Sequence, residues 1–429
     1  MPVDNTKNEW QSAKAIYRHF SKDRNSLFKL LAFVLFSAVF FGALTYKIIL
    51  VPNGPYQEYS AHIGFAVRMS DEGRIVSPHF LFQLLTIIHH HLFEIFNPPT
   101  YKINNFWDRF TYYDWGISAF AVMLEIYIGI ELLLAGYLKR RFNDGVKNFD
   151  NAAYFIAFGI SICAPIFLLA PIDGKYYLGY LTPSTIYMLP TQVLLKLPSL
   201  ALFLMTPLMF ARARNGGKVA LALAVFVLIS GLSKPSWLLI MLPALGIIAL
   251  VKFIKKYPIN WRSLGATLGA GVGALSWQYY FKFVDASAPV YQSGIILTAP
   301  FEVWRHHSDF ILIKMVLSIA FPLYVTAAYL EKAKCDFYVK YSWLLFFIGL
   351  IYSGFLGESG KFKFAGNFIW CGEIACFVLF VATASLFFSA YLNDRQAERT
   401  KSAIGLSLFG AHVICGLIYY FRSFDHIFL

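Results

Sequence analysis

Between residues 56 and 82 the chain reads YQEYSAHIGFAVRMSDEGRIVSPHFLF. This stretch gathers Glu58, His62, Arg68, Asp71, Glu72, Arg74 and His79 in a sequence that is only 14% charged and 58% hydrophobic. Glu58 and His62 are four residues apart, so on a helix they share a face. A carboxylate and an imidazole so placed can act as a base and the group that orients it, with His79 and Asp71 as further acid–base candidates. A second polar concentration, GESGKFKFAGNFIW at 357–370, sets Glu358, Lys361, Lys363 and Asn367 among glycines that allow tight turns, with Phe362, Phe364 and Trp370 between them. Flat aromatic faces beside charged and amide groups are the ingredients of a sugar site. The same composition also suits an interfacial loop, because aromatic rings and lysines gather at headgroups. Loop 171–189, with Asp173, Lys175 and several tyrosines, has the same double reading. Consecutive His89, His90 and His91 point about 100° apart on a helix and cannot converge on one ion, so no metal ligands are assigned. Metal dependence stays open, and no cofactor motif is present.

The elements that must position these groups follow from composition. Mean hydropathy is +0.56, and apolar runs of about 18 or more residues recur along the chain, which argues for an all-α polytopic membrane protein. In hydrocarbon, backbone groups must be satisfied internally, and runs without strict alternation disfavour a β-barrel. The net charge of +13 then reports topology and contact with anionic headgroups rather than nucleic acid. Cys163, Cys335, Cys371, Cys376 and Cys415 lie in or beside apolar runs without paired spacing, which indicates neither a disulfide framework nor a zinc site. Residues 1–27 are long, polar and basic, and the run after them lacks a small-residue cleavage site, so it is expected to remain as an uncleaved anchor.

Spanning helices are expected at roughly 28–50, 114–138, 151–170, 190–211, 218–232, 236–251, 263–283, 310–330, 337–355, 368–391 and 404–421, about eleven in one domain covering 1–429. With the N-terminus inside, the inner segments hold about twice as many Lys and Arg as the outer ones. That places 1–27 in the cytoplasm, and 51–113, 171–189, 284–309, 356–367 and the C-terminus outside. Residues 79–96 are apolar enough to span but carry the three histidines and Glu94, so an in-plane or re-entrant helix fits them better. Segments 218–232 and 236–251 are short and separated by Lys234-Pro235, and interrupted helices often line a site. Glu125, Glu131 and Glu373 fall within apolar runs, where an ionisable group either serves function or pairs near a helix end.

A long first helix is followed by Glu58, Tyr59, Ala61, His62 and Ala66, then Gly73, then Ser77, Pro78, His79, Phe80 and Leu81. This order resembles the GT-C superfamily of integral-membrane glycosyltransferases, and Ser233-Lys234-Pro235-Ser236 is similar to the Lys-Pro element many of its members carry. The resemblance covers the layout and the first 250 or so residues through short motifs. It departs where members carry an Asp or an Asp-Glu pair, since a single Glu58 stands there and Asp71-Glu72 lie further along.

The resemblance implies transfer of a sugar from a polyprenyl-phosphate-linked donor to a glycan or lipid-linked acceptor, on the outer face of a bacterial-type inner membrane. Such chemistry needs a carboxylate to deprotonate the acceptor hydroxyl and cations to stabilise the departing phosphate. Glu58 is the expected base, supported by His62 or His79. Arg68, Arg74, Lys234, Arg305, His306, His307, Lys361 and Lys363 are the candidates for phosphate, and Glu358, Asn367 and Trp370 join them in substrate binding. A polymerase or ligase of the O-antigen type shares polyprenyl-linked substrates but favours a large late outer loop. A lipid or polysaccharide transporter would show repeats and charged groups at mid-membrane.

Overall fold

The computed structural model describes residues 24–50, 57–96, 109–142, 149–169, 172, 189–211, 216–284, 294–393 and 399–424. Most of the N-terminal segment 1–27 and of loop 171–189 lie outside the described residues. The described chain is helical almost throughout. Its strands are β1 (Ile295–Leu297) and β2 (Leu356–Glu358), a short antiparallel ribbon pairing Ile295 with Glu358.

Among the described residues eight helices are long and apolar enough to cross a membrane, each closing its own backbone hydrogen bonds. Their spans fall within α1 (Arg24–Leu50), α4 (Arg109–Phe142), α6 (Pro190–Met205, continued by a 3-10 turn to Phe210), α7 (Gly216–Ser233), α8 (Ser236–Ile254), α14 (Phe337–Phe355), α15 (Ile369–Asn393) and α16 (Arg399–Phe424). The remaining expected spans take other forms. The helix expected at 310–330 is two pieces, α11 (Ile311–Ser318) and α12 (Ala320–Ala328), bent by 61° and counting as a ninth span if taken together. α5 (Asp150–Ile162) stops after 13 residues, too short to cross about 30 Å of hydrocarbon. α9 (Trp261–Tyr279) runs into a π-helical turn at Tyr280–Val284, and the short α13 (Leu330–Cys335) leads into α14.

α15 is the axis of the bundle: 89% of its apolar window is buried, against 28% for α1. α14 lies directly on it, close enough that a Cβ on Gly349 would stand 2.7 Å from the Cys371 carbonyl oxygen. α8, α4 and α6 also pack on α15, and α7 pairs with α9. The helices sort the charges between two ends. At one end Lys139 pairs with Asp150 at 3.4 Å, Arg141 pairs with Asp336, and Lys252 lies 5.3 Å from the centre of the Phe210 ring. At the other end of α8 is Lys234.

The first polar stretch forms α2 (Gln57–Glu72), a turn, and α3 (Leu81–Phe96), which packs along α4. Gly73 ends α2 with φ +61°, a left-handed conformation that glycine takes without Cβ strain. The chain then doubles back through Ser77-Pro78-His79. α3 meets α4 through its histidines: His89 Nε2 lies 3.0 Å from Glu125 Oε1, and His90 stacks on Trp115 at 3.8 Å. Glu125 is thus matched by an imidazole from the helix whose histidines are costly in lipid.

Candidate functional site

The site is built around the break between α7 and α8. Proline has no N–H and crowds the residue before it, so Lys234-Pro235 stops one helix and starts the next. Lys234 is held at this turn, outside the two candidate spans that flank it, and is only 7% exposed. Its Nζ stands 4.3 Å from the centre of the Trp370 ring, a cation–π contact. It has no hydrogen-bond partner among the described residues. Burial pushes its ammonium down to about 7, with Glu373 and then Glu58 drawing it the other way.

Three sequence regions meet here. From the first come His62 and His79, with ring centres 6.1 Å apart, and Glu58, exposed at the start of α2 and close enough to act on Lys234 electrostatically. From the second comes Lys234 itself. The third is the 357–370 loop, which supplies Trp370 beneath the lysine and Glu358 on β2. Glu358 is buried and ion-paired with Lys282 of the π-helical turn. The Ser-Pro-His turn is anchored from α9: Trp277 Nε1 donates to the Pro78 carbonyl at 3.1 Å, and Gln278 Nε2 donates to the Pro78 and Gly231 carbonyls, each at 2.8 Å. The Gln278 side chain also hydrogen-bonds His79. Loop and helix break are therefore fixed to one another through a single amide.

Both histidines are neutral near pH 7. Burial, reinforced by His79 and Lys234, drives His62 down to about 3. Burial with Lys234 and Lys282 nearby does the same to His79, against the Gln278 hydrogen bond. The cluster thus brings together one buried cation and two neutral imidazoles, with one exposed carboxylate near enough to act on the cation. Chemically it can hold an anion at Lys234 while a hydroxyl is deprotonated or hydrogen-bonded beside it.

Other expected residues stand elsewhere. Asp71 lies 13 residues after Glu58 on the same helix, about 20 Å further along its axis. It is exposed. Arg68 and Arg74 grip Glu72 at 3.2 and 2.6 Å at that far end of α2, where they share its carboxylate and stand apart from the Lys234 cluster. No hydrogen bond joins Glu58 to His62 among the described residues, so the expected base-and-orienter contact is not made. Arg305, His306 and His307 lie on α10 (Glu302–His307), which leans on the 357–370 loop. His306 stacks on Phe364 at 4.1 Å, His307 Nε2 is 2.7 Å from the Phe364 carbonyl oxygen, and Arg305 donates to the Pro300 carbonyl. Lys363 pairs with Glu302 at 2.6 Å, whereas Lys361 and Asn367 are exposed, with Lys361 near its neighbour Phe362.

Sequence reading did not single out Gln83, Gln278, Lys282, Gln192 or Lys196. The last two are four apart on α6 and so share a face. Lys196 Nζ lies 3.1 Å from Glu373 Oε1, both side chains almost wholly buried, and Gln192 donates to Glu373 and, at 3.3 Å, to the Trp370 carbonyl. Beside this pair a water-sized cavity is lined by Tyr127, Ile130, Glu131, Ser161, Lys196 and Phe377. A lysine and a glutamine one turn apart in an apolar run was the available signal.

Comparison with protein-family models, with characterised proteins and with solved structures finds no match.

Proposed function

We propose that the chain is a membrane glycosyltransferase using a polyprenyl-phosphate-linked sugar, with the side-chain cluster around Lys234 as its active site. One observation carries the reading. Regions more than 100 residues apart converge on a buried lysine that rests on an aromatic ring and lacks a hydrogen-bond partner among the described residues. An ammonium left unpaired in a low-dielectric interior is destabilising by several kcal/mol, and a ligand phosphate is a counter-charge that offsets it. In the transfer, Glu58 takes the proton of the acceptor hydroxyl as its oxygen attacks the anomeric carbon. The bond from that carbon to the phosphate oxygen breaks, and Lys234 stabilises the negative charge left on the phosphate. The acceptor is a glycan or lipid-linked hydroxyl, and the Lys234 end of the bundle faces outward by the positive-inside bias.

The test is sugar transfer by protein reconstituted in lipid, with polyprenyl-phosphate donors taken from a membrane extract. Glu58→Gln keeps shape and removes basicity, so transfer falls by roughly a hundredfold or more while the folded yield is unchanged. Wild-type turnover in that variant would remove Glu58 from the mechanism. A second reading, a transporter, draws on Glu131 and the Lys196–Glu373 pair, which are charged or titratable groups buried inside the bundle. Movement of a labelled lipid-linked sugar across a vesicle wall without formation of a new glycosidic bond would favour it.

A further inference from the structure

Gln83 is completely buried one turn into α3, and it faces His62, itself 5% exposed. Its carboxamide has three polar neighbours: His62 Nδ1 at 2.8 Å and the carbonyl oxygens of His79 and Phe80 at 3.2 Å each. Two of the three are carbonyls, which can only accept, so the amide NH2 must face them and the amide oxygen must face the imidazole. An amide oxygen can only accept in turn. The proton of the neutral ring therefore sits on Nδ1, and Nε2 keeps its lone pair.

This matters because a neutral imidazole serves opposite ligands in its two forms. With a proton on Nε2 it would donate to a phosphate oxygen. With Nε2 bare it repels phosphate and accepts from a hydroxyl. Lys234, which acts on His62 through space, makes no hydrogen bond to the ring. His79, whose ring centre is 6.1 Å away, is tied to Gln278.

We propose that Gln83 is a positioning residue that locks His62 in the Nδ1–H form, leaving Nε2 as the acceptor for a substrate hydroxyl beside the anion held by Lys234. The hydroxyl role rests on the glycosyltransferase reading, whereas the lock does not. The cluster then divides its substrate chemically: phosphate goes to the lysine and a sugar or acceptor hydroxyl to the imidazole. The same amide joins His62 to the backbone of the His79 turn, so one side chain sets the spacing of α2 from that turn and the proton position of His62.

The experiment is nitrogen-15 NMR of histidine-labelled protein in lipid, with the His62 signals assigned by their loss in His62→Asn. The wild type is expected to show His62 protonated at Nδ1 and bare at Nε2. Gln83→Leu shifts the population towards Nε2–H, and Gln83→Glu, whose buried carboxyl in its protonated form donates to the His79 or Phe80 carbonyl and accepts from Nδ1–H, retains the wild-type form. In transfer assays with a radiolabelled polyprenyl-phosphate-linked sugar, Gln83→Leu lowers kcat by roughly tenfold with little change in KM, and Gln83→Glu restores most of it. A wild-type His62 carrying its proton on Nε2, or a tautomer unmoved by Gln83→Leu, overturns the proposal. The spectrum needs no substrate, so a protein with the Nδ1–H form but no transfer counts against the activity and the hydroxyl role, not against the lock.

Discussion

Two lysines buried in the same bundle are held in opposite ways. Lys196 sits against Glu373 at 3.1 Å, and Glu373 is further held by Gln192. Lys234 lies on the Trp370 ring with no hydrogen bond among the described residues. Burial penalises an ammonium in either place, but Lys196 has the Glu373 carboxylate in direct contact, whereas Lys234 feels Glu373 and Glu58 only through space. The contrast separates a charge the fold has neutralised from one it has left for something else. An ion pair of the first kind braces α6 against α15, and a lone cation at a helix break fits a ligand site.

Lys234→Met gives the largest expected effect. Transfer falls by roughly a hundred- to a thousandfold, as for removal of one preorganised electrostatic group, while Tm stays level or rises because an unpaired buried charge has gone. A fall in Tm together with activity would make Lys234 a second structural lysine and erase the contrast.

Glu373→Gln is the mirror experiment. It leaves Lys196 uncompensated and should cost about 3–5 kcal/mol of stability, whereas adding Lys196→Met to it should recover most of that loss. Chemical denaturation in a defined lipid–detergent mixture reads both. If the single variant is as stable as wild type, Lys196 is not fixed by its pair.

pH sharpens the comparison next. The Lys234 ammonium titrates at about 7 in the free protein, and a bound anion must raise that value. Affinity for a phosphate-bearing lipid is therefore full below pH 7 and declines above it, by up to about tenfold per pH unit until the pKa of the complex is passed. Lys234→Arg, charged throughout, should flatten the profile.

The smallest effect is expected at the far end of α2. Arg68→Ala or Arg74→Ala removes an exposed contact with Glu72 and should leave both Tm and transfer at wild-type values, since surface ion pairs contribute little. A large loss of transfer would bring these arginines back as phosphate ligands.

Much of this was legible in the sequence, for reasons that differ from residue to residue. Apolar runs reveal helices because lipid leaves the backbone no alternative, and Lys234-Pro235 announces its own break. Glu58, His62, His79, Lys234, Glu358 and Trp370 stood out as polar or aromatic groups concentrated in apolar surroundings, and the fold brings them together or near one another. Asp71, Arg68 and Arg74 drew attention through closeness in sequence, but a helix of 16 residues carries its two ends apart. Gln83, Gln278 and Lys282 were invisible as a group because their roles depend on which faces of α3, α9 and the π-helical turn meet around the two histidines. That is decided by tertiary packing and leaves no local pattern. The bent α11–α12 pair and the early end of α5 escaped for a related reason. His412 on α16 lies between them, with Nδ1 2.8 Å from the Ala164 carbonyl oxygen and Nε2 accepting from the Phe321 N–H at 3.4 Å. It satisfies backbone groups at interruptions that hydropathy alone reads as continuous helix.

The most direct measurement is equilibrium binding of a polyprenyl phosphate to purified protein in lipid nanodiscs at pH 6, comparing wild type with Lys234→Met. Binding that is clear in the wild type and lost in the variant, with its fold retained, is the predicted result. Equal binding by both would contradict the assignment of Lys234 as the cation that holds the phosphate.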